Sequence, residues 1–542
     1  MMPRHWLTYG VLIAAVAWFI LLGAHPLFNP DEGRYAEIPR EMLATGQLLV
    51  PRLNGIIYIE KPPLQYWLSV GSFALFGVSE WSARLPVGLA GFLTILMVFA
   101  VADRLWDRAT AWRAALMCGS SLLFVLLSHH LTLDMTLTLC TTAAFGAFCV
   151  AQQRRAQNAA YWRWMLLAWV AAALGVLTKG LVALVLPAAS VVLYSILQRD
   201  SRIWRHLWLT RGIPLLLVIA APWFVWMTRH VPHFFEFFFI REHFARFLTR
   251  ISDRHEPWWF FAPVLLVGVL PWVPSAVRAL ASGWRARVPR GEFDARRLLW
   301  CWVVVTFVFF STSDSKLVPY ILPLFPGLAL LMAAGDEAQL RRELKITERV
   351  IIGFALLVAA LAVVQPYLVE SGRWNEATLT LRPGLVAIAI LLAAGGIASH
   401  AARDRVSTAL AAIALAAFAA TGVLLESARG VTPLYSSAPL VKALPPELRS
   451  VPTFAVRHYD QTLPFYLGHT TTLVEERNEL DFGLRLEPWH EIERLSEFES
   501  QWRALDQALA VTTDEDLAEL ERRGVPMRVR GRNAEIVLIS RR

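Results

Sequence analysis

Apolar residues along this chain gather into long runs separated by short polar breaks. A helix needs about 20 predominantly apolar residues to cross a bilayer. Thirteen stretches approach that pattern, near 7–24, 82–102, 114–130, 132–152, 164–178, 180–198, 212–229, 257–278, 298–313, 317–334, 349–368, 383–399 and 406–427. The first runs from Trp6 to Ala24 with no small-x-small site after it. It exceeds a signal-peptide core of about 7–15 residues, so it is read as a retained helix. Two breaks are long. Residues 25–81 are divided by Pro26, Pro30, Pro39, Pro51, Pro62 and Pro63. Proline lacks an N–H and clashes with the preceding turn, so only short helices are expected between these points. They are expected to lie along the membrane surface, because Trp67, Phe73 and Phe76 alternate with polar residues. Residues 230–256, rich in Phe and Arg, form the second long break. Beyond residue 428 no long apolar run remains. Val451–Val456 and Thr470–Val474 read as strands, Pro488–Ala510 and Asp514–Arg523 as helices, and Met527–Ile539 as a strand pair. Proline at the start of the first of these helices costs nothing, since that N–H would be unpaired anyway. The expected fold class is a polytopic α-helical membrane protein with about 13 transmembrane helices over residues 1–428. Its outer-face loops are 25–81 and 230–256. A small soluble α/β domain follows over 429–542, large enough for its own core.

The basic residues orient this bundle. With the N-terminus in the cytoplasm, the inner breaks hold Arg104, Arg108 and Arg113, then Arg154, Arg155 and Arg163, then Arg199, Arg202, Arg205 and Arg211. Later inner breaks hold Arg285, Arg287, Arg290, Arg296 and Arg297, then Arg341, Arg342 and Lys345, then Arg403 and Arg405. This is the excess of cytoplasmic Lys and Arg that sets membrane orientation. It places the C-terminal domain outside. Composition agrees: 56% of residues are hydrophobic and 18% charged, against about 25% charged in a soluble domain. The mean hydropathy is +0.46. Twenty-two tryptophans suit the two membrane interfaces. The net charge of +9 is accounted for by the orienting arginines. No groove-reading motif accompanies it, which excludes a nucleic-acid partner. Cys118, Cys140, Cys149 and Cys301 all fall within apolar stretches and form no CxxC or Cys/His spacing. They read as packing residues rather than disulfides or metal ligands.

The outer breaks carry mixed charges instead. Ionisable groups next to hydrocarbon are costly, so a cluster of them is a site hypothesis. The first long loop contains Asn29-Pro30-Asp31-Glu32-Gly33-Arg34-Tyr35 and Glu60-Lys61-Pro62-Pro63-Leu64. Asp31 and Glu32 suit a helix start, which explains one carboxylate and leaves the second motif unexplained. Pro62-Pro63 forces an extended backbone at Lys61 and would hold its amine beside the membrane surface, where a snorkelling lysine is the plainer reading. Arg34, Lys61, Arg241, Arg246 and Arg250 together would suit an anionic headgroup, because guanidinium matches phosphate oxygens in bidentate fashion. Asp134, Lys179 in Thr178-Lys179-Gly180, and Lys316 and Tyr320 in Ser315-Lys316-Leu317-Val318-Pro319-Tyr320 stand at tight outer turns. Helix capping or an interfacial belt would account for each taken alone. Glu60 and His243, with His255, are the residues to which a divalent metal would be assigned, although they form no compact ligand motif.

Asp31-Glu32-x-Arg34-Tyr35, Glu60-Lys61-Pro62-Pro63-Leu64-x-Tyr66-Trp67, Thr178-Lys179-Gly180 and Ser315-Lys316-x-x-Pro319-Tyr320 resemble the signatures of polytopic GT-C glycosyltransferases. These enzymes use polyprenyl-phosphate sugars and include the protein mannosyltransferases. Tyr459-Asp460-Gln461-Thr462-Leu463-Pro464-Phe465-Tyr466 resembles the lipid A aminoarabinose (ArnT) transferases in particular. The resemblance implies undecaprenyl-phosphate-linked 4-amino-4-deoxy-L-arabinose as donor and a lipid A phosphate as acceptor. It also implies a multi-pass protein of the bacterial inner membrane with a periplasmic site, and polymyxin resistance as the consequence. On that view Asp31, Glu60 and Asp134 act catalytically, and Lys61, Arg34, Arg246, Tyr320, Tyr35, Lys179 and Lys316 bind substrate. No cofactor is required, a divalent metal being the one candidate. A GT-C transferase of mannose or a uronic acid, and a transporter of lipid-linked sugars, are the competing readings.

Overall fold

The computed structural model describes residues 5–199, 201–245, 255–285, 292–371, 375–476 and 479–541. All thirteen apolar stretches are helical, but they are not thirteen uniform spans. Among the described residues seven helices are long and apolar enough to cross a membrane unaided. Helices α1 (His5–Ile20), α2 (Asp31–Thr45) and α3 (Leu64–Phe76) precede the first of them, α4 (Glu80–Leu105). α5 (Arg108–Ser120) and α6 (Leu122–Ser128) form one apolar path bent by 67°, and count as an eighth span if taken together. α7 (Asp134–Ala156), α8 (Trp162–Lys179), α9 (Val182–Gln198) and α10 (Leu209–His230) follow. The expected span 257–278 divides at Pro271 into α11 (Phe261–Gly268) and α12 (Val273–Arg285). After α13 (Ala295–Thr312), the expected span 317–334 yields only the ten-residue α14 (Leu324–Ala333). α15 (Glu337–Glu370), α16 (Arg382–Ala401) and α17 (Val406–Ser427) close the bundle. Pro271 breaks one expected span, and Pro319 and Pro323 lie before the short helix of the other.

Helix starts are set by local chemistry. The side chain of Ser79 accepts from Ser82 N at 3.2 Å, and Ser82 reciprocates to Ser79 N at 3.0 Å. This capping box opens α4. Asp336 and Gln339 do the same for α15.

The first long loop departs from expectation. α2 continues through Pro39 rather than ending there. An interior proline costs about 3 kcal/mol, which burial of nearly every residue from Glu32 to Met42 offsets. Strands β1 (Arg52–Leu53) and β2 (Ile56–Ile57) then form a small hairpin. Asn54 and Gly55, at φ 57° and 77°, make its left-handed turn, the geometry that favours Asn-Gly.

The C-terminal strands form one sheet of order β5-β4-β3-β6-β8-β7. These are β3 (Thr453–Val456), β4 (Thr472–Val474), β5 (Glu491–Ile492), β6 (Leu509–Thr512), β7 (Arg528–Arg532) and β8 (Val537–Ser540). β5, β4, β3 and β6 run parallel, while β8 and β7 are antiparallel. Residues 488–510 are not one helix: they hold β5, α18 (Leu495–Ala504) and the start of β6. A strand hidden at each end of a helical pattern has too few residues to show a period of two. Phe498 and Trp502 on α18 and Leu517 and Leu520 on α19 (Asp514–Arg522) pack under the sheet.

This domain is seated on α2 and the β1–β2 hairpin. Asn29 Nδ2 donates to Asp460 Oδ2 at 2.7 Å, and Thr462 N donates to Asn29 Oδ1 at 3.0 Å. Asn54 Nδ2 donates to the Thr471 carbonyl at 2.7 Å. Arg52 makes a forked pair with Glu487, both contacts at 2.8 Å. A Cβ added at Gly33 would lie 2.6 Å from the Gln461 backbone, so only glycine allows this approach.

Candidate functional site

The site builds outward from the start of α2. Glu32, fully buried, faces Arg84 at the base of α4 in a forked pair with both contacts at 2.7 Å. It also accepts from Phe28 N at 3.0 Å and Leu131 N at 2.9 Å. Burial works against its charge, but Arg84 outweighs it and holds the carboxyl well below the usual carboxylate range. Arg84 donates further to the carbonyls of Leu22, His25 and Pro26. Glu32 and Arg84 thus pin α2, the end of α1 and the entrance to α7 together. Burial, followed by the neighbouring Arg84, pushes His25 down to about 4.

Asp31 points the other way and stays partly open. Arg34 Nη1 lies 2.9 Å from Asp31 Oδ1, and Arg34 Nη2 lies 2.5 Å from Glu479 Oε2 of the C-terminal domain. Arg34 is therefore buried between two carboxylates rather than standing as an open cation. Tyr35, Tyr58 and Tyr66 line the same region; the Tyr35 and Tyr66 rings are 6.3 Å apart. Burial pushes all three hydroxyls up, and the carboxylates nearby add to it: Asp31 at Tyr35, Glu60 at all three. Tyr35 thus senses both Asp31 and Glu60, which brings the two sequence motifs of the first loop to one place.

Lys61 Nζ donates to the Glu60 carbonyl at 3.1 Å and lies 3.8 Å from the Glu60 carboxylate. It also lies 3.7 Å from Glu242, in the wide-turned helix Glu236–Ala245. A second group forms where α7 begins and α8 ends. Lys179 donates to Asp134 and stands 4.4 Å over the Tyr320 ring. The Tyr320 ring is in turn 5.5 Å from Phe310. The two groups adjoin. Thr136 on the first turn of α7 donates to Gln65 on α3 at 2.6 Å, and Ile59 shares an apolar cluster with Leu137, Val176 and Leu177. Lys316 is buried and donates to the carbonyls of Ser313 at 2.5 Å and Glu256 at 2.9 Å, so it fastens two loops.

Arg246 and Arg250 lie outside the described residues, as does the His243 side chain. Arg241 stacks over Phe237 at 5.3 Å. Among the described residues no group of three His, Cys, Asp or Glu side chains is placed to hold a metal ion.

Sequence reasoning missed Arg84, Glu242, Glu479, Tyr58 and Tyr66. Arg84 had a signal: it is a lone guanidinium inside an apolar stretch, and such a group needs a partner. Tyr66 stood inside the Glu60–Trp67 motif and Tyr58 two residues before it, neither with an assigned role, whereas Glu242 and Glu479 lie far along the chain and carried no signal.

Comparison with known proteins agrees with this arrangement. Residues 440–541 match the family described as "Aminoarabinose transferase C-terminal domain", and residues 60–226 match "Dolichyl-phosphate-mannose-protein mannosyltransferase". The "Undecaprenyl phosphate-alpha-4-amino-4-deoxy-L-arabinose arabinosyl transferase" of Pectobacterium carotovorum is 35% identical over 390 residues, covering 70% of this chain and 68% of that protein. The chain belongs to the ArnT family. A second ArnT relative, from Sodalis glossinidius, is 36% identical over 335 residues, or 61% of this chain and 58% of its own. The crystal structure of ArnT from Cupriavidus metallidurans bound to undecaprenyl phosphate superposes with a TM-score of 0.89 at 30% identity. That match covers 100% of this chain and 98% of the other; the apo form of the same protein gives 0.86. Membership in the ArnT family makes the chain a multi-pass membrane glycosyltransferase, as its sequence motifs implied.

Proposed function

We propose that this protein transfers 4-amino-4-deoxy-L-arabinose from undecaprenyl phosphate to a lipid A phosphate at the periplasmic face of the inner membrane. The product lipid would carry a cationic sugar and resist polymyxin. The observation that carries this reading is the full-length likeness to an ArnT bound to undecaprenyl phosphate. The match of residues 440–541 to the aminoarabinose transferase C-terminal domain favours this sugar over mannose or a uronic acid. The grouping of charges at helix ends rather than mid-bundle favours interfacial chemistry over transport.

In this reading residues 1–428 form the transferase bundle with its N-terminus in the cytoplasm, and residues 429–542 form a periplasmic domain. The arginine-rich inner breaks support that orientation. Lys61, with Tyr320, Lys179 and Arg246, takes the polyprenyl phosphate and stabilises it as it departs. Lys61 sits between Glu60 and Glu242. Asp31, Glu60 and Asp134 face the sugar, where they pair with its amine and stabilise positive charge developing on the ring. Tyr35 and Arg34 orient Asp31. Lys316 acts by holding its loop beside Tyr320. An acceptor phosphate is already anionic at neutral pH and needs no strong base, so direct displacement with inversion suffices. Glu60 and His243 would be the ligands if a divalent ion takes part.

The test is mass spectrometry of lipid A from a strain lacking its own aminoarabinose transferase, with and without this gene, and transfer by the purified protein. Aminoarabinose-modified lipid A is expected. Transfer of mannose alone, or unmodified lipid A with active flipping of the donor, would replace the proposal.

A further inference from the structure

A polar cavity lies at the other end of the bundle. It has a volume of about 590 Å³ and is lined in part by Arg113, Arg296, Arg405, Asp107, Asp336 and Glu337. α4 runs from Arg84, beside Glu32, to this cavity, and α17 returns from it to the first loop. The 26 residues of α4 span about 39 Å at 1.5 Å per residue, so the cavity is a membrane thickness from Asp31. In the topology proposed above it opens to the cytoplasmic leaflet.

Three carboxylates and three guanidinium groups share its lining but form no direct ion pairs with one another; the charges of Asp107 and Glu337 reach Arg113 only across a longer distance. Asp107 caps α5, accepting from Thr110 N at 2.8 Å and Thr110 Oγ1 at 3.0 Å. Asp336 caps α15, accepting from Gln339 N at 2.8 Å. Glu337 is paired with Arg341 at 2.7 Å. Asp107 and Asp336 thus accept at helix starts and keep their charge, while Glu337 shares its charge with Arg341. Among the described residues no carboxylate lies within ion-pair distance of Arg113, Arg296 or Arg405. Arg113 is fixed by bonds to Thr110 Oγ1 at 2.9 Å and the Ala109 carbonyl at 3.2 Å. Arg296 leans 6.0 Å over Trp106. Three guanidinium groups from three separate segments therefore line one cavity, where apolar helices end and Trp106 forms part of the wall.

We propose that this cavity binds a phosphate group, carried by an anionic phospholipid of the adjoining leaflet or free in solution. Guanidinium forks fit phosphate oxygens, and basic pockets between helix ends on the cytoplasmic side suit lipid headgroups. The occupant joins α5, α13 and α17 at the end opposite the transferase site. The inference does not rest on the transferase reading, because its test reads binding rather than transfer.

The test uses the full-length protein, purified in detergent, with native mass spectrometry and thermal unfolding as readouts. The probes are dioleoyl phosphatidylglycerol, dioleoyl phosphatidylethanolamine and inorganic phosphate. Arg296→Gln/Arg405→Gln removes two exposed cations, giving up only the contact of Arg296 with Trp106, and Arg113→Gln removes the third. Wild type is expected to retain phosphatidylglycerol over phosphatidylethanolamine, with retention on the order of tenfold weaker in each variant. Stabilisation of wild type but not the variants by inorganic phosphate, with no preference between the lipids, would assign the cavity to free phosphate. Equal lipid retention in wild type and variants, with no effect of phosphate on either, would overturn the proposal.

Discussion

Two carboxylates adjacent in sequence have different work in this protein. Glu32 is sealed against Arg84, while Asp31 faces the open side with Arg34. Removing one partner of a buried pair leaves an uncompensated charge, at about 3–5 kcal/mol. Glu32→Gln should therefore lower the unfolding temperature in detergent sharply, and adding Arg84→Met to it should cost less than Arg84→Met does alone; additive losses would mean the pair is not a unit. Lys61→Ala should leave unfolding nearly unchanged and reduce transfer about a hundredfold, the scale of one lost charge-stabilising donor. Undiminished transfer would remove Lys61 from the mechanism. His25 supplies a pH dependence. Its folded pKa of about 4 lies below the usual 6.5, so unfolding takes up a proton between those values. Stability is then full above pH 6.5 and falls as pH drops toward 4, by at most about 1.4 kcal/mol per pH unit. Glu32 contributes in the same direction, its stabilisation being lost only below the ordinary carboxylate range. Melting curves from pH 7 to 4.5 should show the slope, and His25→Gln should flatten it.

The elements that shape the site are those of the first long loop. α2 presents Asp31 to the open side, and Gly33 and Arg34 to the C-terminal domain. Gly33→Ala would set a methyl carbon 2.6 Å from the Gln461 backbone, which neither chain can yield cheaply. Loss of transfer with an intact bundle is expected, read as faster hydrogen exchange over residues 31–57. Unchanged exchange would mean that the domain contact tolerates the separation. The proline pattern correctly marked this loop as irregular, but α2 continues through Pro39 and a hairpin follows. Those outcomes depend on burial against Asp460, Thr471 and Glu487, more than 400 positions away in sequence, which local pattern does not carry.

Across the whole molecule, the C-terminal sheet and the membrane bundle share ionic and hydrogen-bonded contacts through Asn29, Arg34, Arg52 and Asn54. Deleting residues 429–542 would strip partners from all four. The truncated protein should retain hydrogen-exchange protection in α7 and α15–α17, lose it over residues 25–61, and show no transfer. Retained transfer would make the domain dispensable to the site.

Hydrophobic period was sufficient to locate the helical stretches and the shift to an α/β domain, because these follow from transfer of side chains between water and hydrocarbon. The motifs around Asp31, Lys61, Lys179 and Tyr320 pointed to the family and to the region of the site. Folding in three dimensions settled which charges are spent and which stay open: Glu32 on Arg84, Arg34 between Asp31 and Glu479, Lys179 with Asp134 under Tyr320. Those pairings bring together groups from distant segments, and a pairing energy depends on distance and burial, neither of which is written along the chain.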